Sequence, residues 1–298
     1  MAIIGLTLST FVVSSYVMAF LYSLFLMICL CVSWNLFSGY VKYVNLGVAA
    51  FFGLGSYIGA YLSYYYSLPY FLNIPIAGLV VGVFAFGIGF VTLRVRGPYF
   101  VIATFALAEA TRTFFIYIDG LRGKMGVPVP PQASEITYLL VMSLMAIAVA
   151  VAYAVKNSKF GMGLFAISEN EDSAEASGIP VTKYKIIAFM LSSILFGVAG
   201  AIQNGRFGWV DPNAAFSSVI TFTIIAAAYI GYAIFGSARS IYSPIVGAII
   251  LTVLSELVIG GEQVYLFRSI LGILIVLLVF VMLEKEHLTT RIKNHLKI

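Results

Sequence analysis

Charge is what this chain mostly does without. Only 10% of its residues are Asp, Glu, Lys or Arg while 61% are hydrophobic, against about 25% charged in an ordinary soluble domain. The mean hydropathy is +1.03. So few charges cannot cover a water-facing surface, which excludes an assembly of soluble domains and leaves one transmembrane domain over residues 1–298. Histidine is confined to His287 and His295 near the C-terminus. That leaves no ligand set for an intramembrane zinc site and no base for a His-dependent protease. Cys29 and Cys31 are the only cysteines; two apart on a helix, they point to different faces and cannot bridge each other. A Walker A sequence is also missing, because GLRGKM at 120–125 lacks both the spacing and the Ser or Thr after Lys. No Lys or Arg precedes Lys42, so the basic start of a cleavable secretory signal is absent and the first apolar stretch is expected to remain as a span.

What is there is a series of apolar runs broken by short polar or Gly/Pro segments. Their lengths predict an all-α polytopic protein of about nine spans, at roughly 12–37, 46–66, 74–93, 99–118, 137–155, 186–205, 218–236, 244–260 and 267–283. The run from Ala2 to Phe37 is long for one span and short for two, so eight or ten also fit. With the C-terminus inside, the inner connections hold Lys42, Arg94, Arg96, Lys156, Lys159, Lys183, Lys185, Arg239 and the basic tail at 284–298 with Lys285, Arg291, Lys293 and Lys297. The outer ones hold only Arg122, Lys124, Arg206 and Arg268. This bias puts the tail in the cytoplasm, against the anionic inner leaflet. The net charge of +5 and pI near 9.1 therefore express topology, and nucleic acid is excluded as a partner.

Four of the 12 acidic residues, Glu169, Glu171, Asp172 and Glu175, crowd into the connection at 156–185. Ser168 followed by Glu171 has the spacing of a capping box, and the acids would lie in the first turn, where the helix dipole favours them. Gly178 and Pro180 supply a stop. A short helix at about 169–177 is predicted outside the membrane. It is either a solvated surface helix or a rigid knob for a cytoplasmic partner. Glu109 and Arg112, three apart within the fourth span, either satisfy each other or line a solute path. Gly47, Gly53 and Gly55, with Phe51 and Tyr57 among them, suit close helix packing or a broken helix beside a cavity. Glu256, in the next-to-last span, poses the same choice as Glu109.

The wording of the acidic stretch is specific. Phe160, Gly161, Ala166, Ile167, Glu169, Asn170, Glu171, Ala174, Glu175, Ala176, Gly178, Ile179, Tyr184 and Lys185 match the long cytoplasmic loop of the permease subunits of branched-chain amino acid ABC importers, in particular their M-type subunit. Two further blocks resemble the same family: GYVKYVNLGVAAFFGLGSYIGAYL, through Gly39, Tyr40, Leu46, Gly47, Phe51, Gly53, Gly55 and Tyr57, and RVRGPYFVIATFALAEATRTF, through Arg94, Arg96, Gly97, Tyr99, Phe100, Thr104, Glu109 and Arg112. In GSARSIYSP, three positions where the family carries glycine hold Ser237, Arg239 and Ser243.

The resemblance implies a permease subunit that is not itself an enzyme and carries no cofactor or metal. Its partners would be separate ATP-binding-cassette subunits, a second permease or second copy, and an extracytoplasmic solute-binding protein. The acidic segment, with Ser168, Glu169, Asn170, Glu171, Asp172, Ala174, Glu175, Ala176 and Gly178, would be the coupling helix that meets the ATPase. Gly47, Phe51, Gly53, Gly55, Tyr57, Glu109 and Arg112 would be its translocation-path or gating residues. Branched-chain amino acids head the substrates, with urea, amides and other amino acids in the same class. A self-sufficient secondary carrier or channel is the competing reading. It would need a cation site or paired carboxylates at the midplane, for which only Glu109 stands out.

Overall fold

The structure is a computed structural model and describes residues 15–95 and 97–259. Within the first apolar run, α1, Ser15–Trp34, passes without a break into a π-helical turn at Asn35–Gly39. There follow α2 (Val48–Tyr66), α3 (Tyr70–Thr92), α4 (Pro98–Leu121), α5 (Ser134–Lys156), two short helices α6 (Lys159–Glu169) and α7 (Glu171–Ala176), and then α8 (Val181–Phe207), α9 (Pro212–Ala215), α10 (Ser218–Phe235) and α11 (Tyr242–Ile259). Two-residue strands β1 (Val127–Pro128) and β2 (Trp209–Val210) pair antiparallel.

Six helices among the described residues are long and apolar enough to cross a membrane, so the expectation of nine is not met there. Val48–Tyr66 falls short because glycine, serine and tyrosine dilute its apolar residues. α11 is apolar but short over its fully described part, Tyr242–Glu256. The ninth expected span and the basic tail lie outside the described residues.

The helices alternate in direction, and contacts between connections define two ends. At one end Lys42 and Arg239 both pair with Glu169, Lys185 pairs with Glu171, and the Tyr43 ring lies 5.3 Å from Phe100 in the first turn of α4. This gathers the connections at 40–47, 93–97, 157–180 and 236–241. At the other end β1 meets β2, and Gln132 N–H donates to Gly205 at 2.8 Å.

The centre of the bundle is α8. Two-thirds (67%) of its apolar window is buried, compared with 17% for α4. Glycine lets it approach its neighbours. A Cβ on Gly55 of α2 would strike the Gly197 carbonyl, and one on Gly200 would strike the Phe52 carbonyl. Gly78 and Gly82 of α3 face Val198 and Ile194 in the same way. In lipid, where apolar surface gains nothing from leaving its solvent, such backbone contact is what holds helices together. Two bonds from or to Ser56 reinforce it, its Oγ donating to the Gly200 carbonyl at 2.9 Å and its carbonyl accepting from Asn204 at 2.5 Å. Toward the 157–180 end a ring cluster of Phe37, Phe51, Phe100 and Phe189 closes the core, with centroids 5.1 Å apart for Phe37–Phe189 and 5.3 Å for Phe51–Phe189.

Candidate coupling surface and the opposite end

The acidic segment is built differently from the capping-box expectation. Ser168 lies inside α6, and its hydroxyl donates back to the Phe165 carbonyl at 2.7 Å. The cap of α7 is Asn170, in extended conformation, whose Oδ1 accepts from Ser173 N–H at 2.8 Å. The helix is therefore 171–176, preceded by an unanticipated helix. Asn170 wins because its short side chain reaches its own N3 amide once the chain turns sharply between two helices. The stop occurs where expected: Gly178 takes φ +83, and Gly178 N–H and Ile179 N–H donate to Glu175 and Ala174, a Schellman closure.

The segment is anchored from beneath. On α6, Leu164 and Ile167 are buried, Gly161 sits against the Val155 carbonyl and Gly163 against the Tyr184 ring. On α7, Ala174 faces inward while Asp172, Glu175 and Ala176 are exposed. Glu171, expected from its spacing to close a capping box with Ser168, points into the bundle. Its carboxylate accepts from Lys185 Nζ at 2.9 Å, with the two side chains 13% and 3% exposed. Lys185 also lies 4.7 Å from the Tyr43 ring. Glu169 is exposed and takes Lys42 at 3.6 Å together with Arg239; pairs this open to water contribute about 0–1 kcal/mol each. Arg239 also stacks over Phe165 at 5.1 Å. In the sequence it registered as one of the inner-side cations and as a lost glycine.

Most of the residues expected along the translocation path make packing contacts. Gly47 caps α2, and Phe51 is enclosed in the ring cluster. Gly53 backs onto Phe216 and Gly55 onto Gly197. α2 is continuous, so these glycines serve close packing rather than a break. Glu109 and Arg112 do pair, at 3.3 Å, each 37% exposed, and Arg112 also donates to Asn213 of α9 at 2.9 Å. Glu256 accepts from the Tyr16 hydroxyl.

Sequence reading missed Asp119. It is wholly buried and accepts from Tyr57 Oη at 2.8 Å, Gly126 N–H at 2.8 Å and Arg122 at 3.0 Å. Arg122 in turn donates to Tyr61 and Tyr65. Asp119 lies just past the fourth expected span, 99–118, and the signal was its spacing of three from Arg122. Among the described residues no group of three or more His, Cys, Asp or Glu side chains could hold a metal.

A family profile described as "Branched-chain amino acid transport system / permease component" matches residues 16–279. The chain is 25% identical over 280 residues to the high-affinity branched-chain amino acid transport system permease protein LivM of Salmonella typhimurium, and likewise to that of Escherichia coli, with 83% of this chain aligned. It spans 64% of the length of those two relatives. The ribose import permease protein RbsC of Haemophilus influenzae is 26% identical over 63% of this chain and 61% of its own length. The continuous match across the helical bundle, including the anchored segment at 157–180, makes this chain a multi-pass membrane protein that belongs to the branched-chain amino acid transport system permease family.

Proposed function

We infer that this chain is the permease subunit of an ATP-driven importer, moving branched-chain amino acids or related small polar solutes by alternating access, with nucleotide hydrolysed on separate subunits. The observation that carries the reading is the seating of α6 and α7. A six-residue helix cannot hold itself in water, yet this one is capped at both ends, pinned by Glu171 to a buried lysine on the central helix and linked through Glu169 to two other connections. It is a rigid projection on the membrane domain, suited to receive force from a docked partner.

The basic bias of that end, with Lys42, Arg94, Lys156, Lys159, Lys183, Lys185 and Arg239, supports a cytoplasmic location for it, and for the tail, under the positive-inside rule. Arg122, Lys124 and Arg206 then belong to the outer end, where a solute-binding protein would dock. A second permease or second copy completes the pathway. The sugar permeases among the relatives are the reason to keep the solute class broader than branched-chain amino acids.

The test is a charge-and-size change on the exposed face of α7. Glu175→Lys with Ala176→Arg should leave membrane insertion intact, remove the Walker-bearing subunit that co-purifies with the wild type, and abolish solute uptake. Unchanged co-purification and uptake would refute the coupling role. Uptake with no ATPase present at all would favour the self-sufficient carrier.

A further inference from the structure

A cavity of about 300 Å³ opens among α1, α8 and α10, with Phe52 of α2 at its inner wall. This is at the lower end of the range of small-molecule sites, roughly 300–1,000 Å³. Its composition is divided. Leu26, Leu30, Phe52 and Val219 make an apolar floor, while Tyr22, Gln203 and Arg206 bring the polar groups.

Those polar groups are under-used by the protein. The Tyr22 hydroxyl, on a side chain only 4% exposed, has no hydrogen-bond partner among the described residues, and neither does Gln203 Oε1. Arg206 stacks over the Tyr22 ring at 4.4 Å and forms no ion pair with a described carboxylate. Buried polar atoms are normally satisfied, and each one left over calls for a reason. A guanidinium in a partly desolvated pocket is matched best by a planar anion that accepts two parallel N–H donors. Arg, Tyr and Gln above a floor of branched aliphatic and aromatic carbon describe a receptor for a carboxylate attached to a short aliphatic body. A neutral polyol would leave the cation unmatched and set hydroxyls against leucine.

We propose that this cavity is a solute subsite on the outer half of the permease: Arg206 takes the solute carboxylate, Tyr22 Oη and the Gln203 amide orient it, and Leu26, Leu30 and Phe52 receive its aliphatic side chain. The proposal rests on the importer reading for the source of the solute. The other anion within reach of Arg206 is a lipid headgroup, and the two sources are separable by experiment.

Full-length chain in phosphatidylcholine nanodiscs is titrated with L-leucine, 4-methylpentanoate, leucinol and ribose. Leucine and 4-methylpentanoate should bind and compete with each other; leucinol, without a carboxylate, and ribose should not. Arg206→Gln should weaken leucine binding at least about tenfold and Arg206→Lys should recover part of it, as expected for a charge-assisted contact. Tyr22→Phe should weaken it about three- to tenfold without lowering the thermal midpoint, because the deleted hydroxyl has no partner among the described residues to lose. Absence of leucine binding, equal binding of leucinol or ribose, or affinity unmoved by both Arg206→Gln and Tyr22→Phe would overturn the proposal. Displacement of leucine by phosphatidylglycerol in the discs would assign Arg206 to lipid and overturn it as well. Glu175→Lys/Ala176→Arg separates the two readings: it should abolish uptake while leaving leucine binding intact. Uptake that survives it sinks the coupling role, whereas the cavity stands or falls on the Arg206 and Tyr22 titrations.

Discussion

Replacing Glu171 by Gln should detach α7 from the bundle while leaving the bundle folded. Lys185 is 3% exposed, and its closest counter-charge is the Glu171 carboxylate at 2.9 Å. The substitution keeps the size and removes the charge, so the ammonium stays where it is, facing a neutral amide and Tyr43, whose ring lies at 4.7 Å and whose hydroxyl accepts from it at 3.5 Å. Breaking a buried pair in this way costs about 3–5 kcal/mol. The cation–π contact cannot offset this, because it is present before and after. The remaining tethers of the segment are small. The Asn170 cap contributes about 1 kcal/mol, and the exposed Glu169 pairs contribute about 1 kcal/mol or less each. The segment 170–180 should then open locally, raising amide exchange at Ala174, Ser177 and Ile179, whose N–H groups are bonded within it, by about two decades for about 3 kcal/mol. Exchange in α8 beyond its first turns should not change. The double variant Glu171→Gln/Lys185→Met removes the stranded charge and should restore most of the protection, giving a coupling energy of about 2 kcal/mol in the cycle. Exchange in Glu171→Gln that stays within threefold of wild type would refute the reasoning, since it would mean that the pair holds nothing in place.

Two other contacts give equally direct expectations. Gly55→Val places a branched side chain into the Gly197 carbonyl and should separate α2 from α8 at a cost of about 1–3 kcal/mol or more, read as a lower detergent-unfolding midpoint, whereas Gly87→Ala, which meets nothing within 4 Å, should be neutral or slightly stabilising; equal midpoints for the two would contradict the close-packing account. Asp119→Asn leaves Arg122 without its charge partner at 3.0 Å and should cost about 3 kcal/mol, at the low end for a buried pair because Arg122 is 25% exposed; the expected signature is proteolytic cleavage at 122–126 in intact vesicles, and resistance equal to wild type would count against the clamp.

The legible and illegible parts of the sequence divide along physical lines. Helices, their approximate ends and the acidic connection could be read because they depend on runs of apolar residues and on local stops such as Gly178. The capping residue could not. Ser168 and Asn170 both satisfy local rules, and only the tight turn from α6 into α7 decides for Asn170. The direction of Glu171 was also hidden, because its partner Lys185 is 14 residues away on another helix and a short acidic helix in isolation gives every reason to point its charges at water. Arg239 is the sharpest case. Compared with the family pattern it reads as the loss of a flexible glycine, yet in three dimensions it is a gain, an ion pair to Glu169 and a stack on Phe165. Asp119 left one local trace, Arg122 three residues on, but its partner Tyr57 is 62 positions away, and the cavity joins Tyr22 to Arg206 across 184 positions, beyond the reach of a spacing argument.

One helix connects these parts. α8 runs from Val181 to Phe207 and carries Lys185 near one end and Arg206 near the other, about 32 Å apart at 1.5 Å per residue. No proline interrupts it, so it has no built-in hinge of the usual kind. Its middle is locked to α2 by backbone-to-backbone contact at Gly55–Gly197 and Phe52–Gly200, two points at which no side chain separates the helices. A displacement imposed on Lys185 through Glu171 would meet no side chain able to rearrange at these two points, which favours a joint shift of α2 and α8. Phe52, Gln203 and Arg206 belong to that unit, while Tyr22 and Leu26 of α1 and Val219 of α10 face it across the cavity. Under the proposed coupling, movement at the capped segment would change the distance between the walls of this cavity, which is the geometric requirement for tying partner-driven force at one end of the membrane domain to solute affinity at the other.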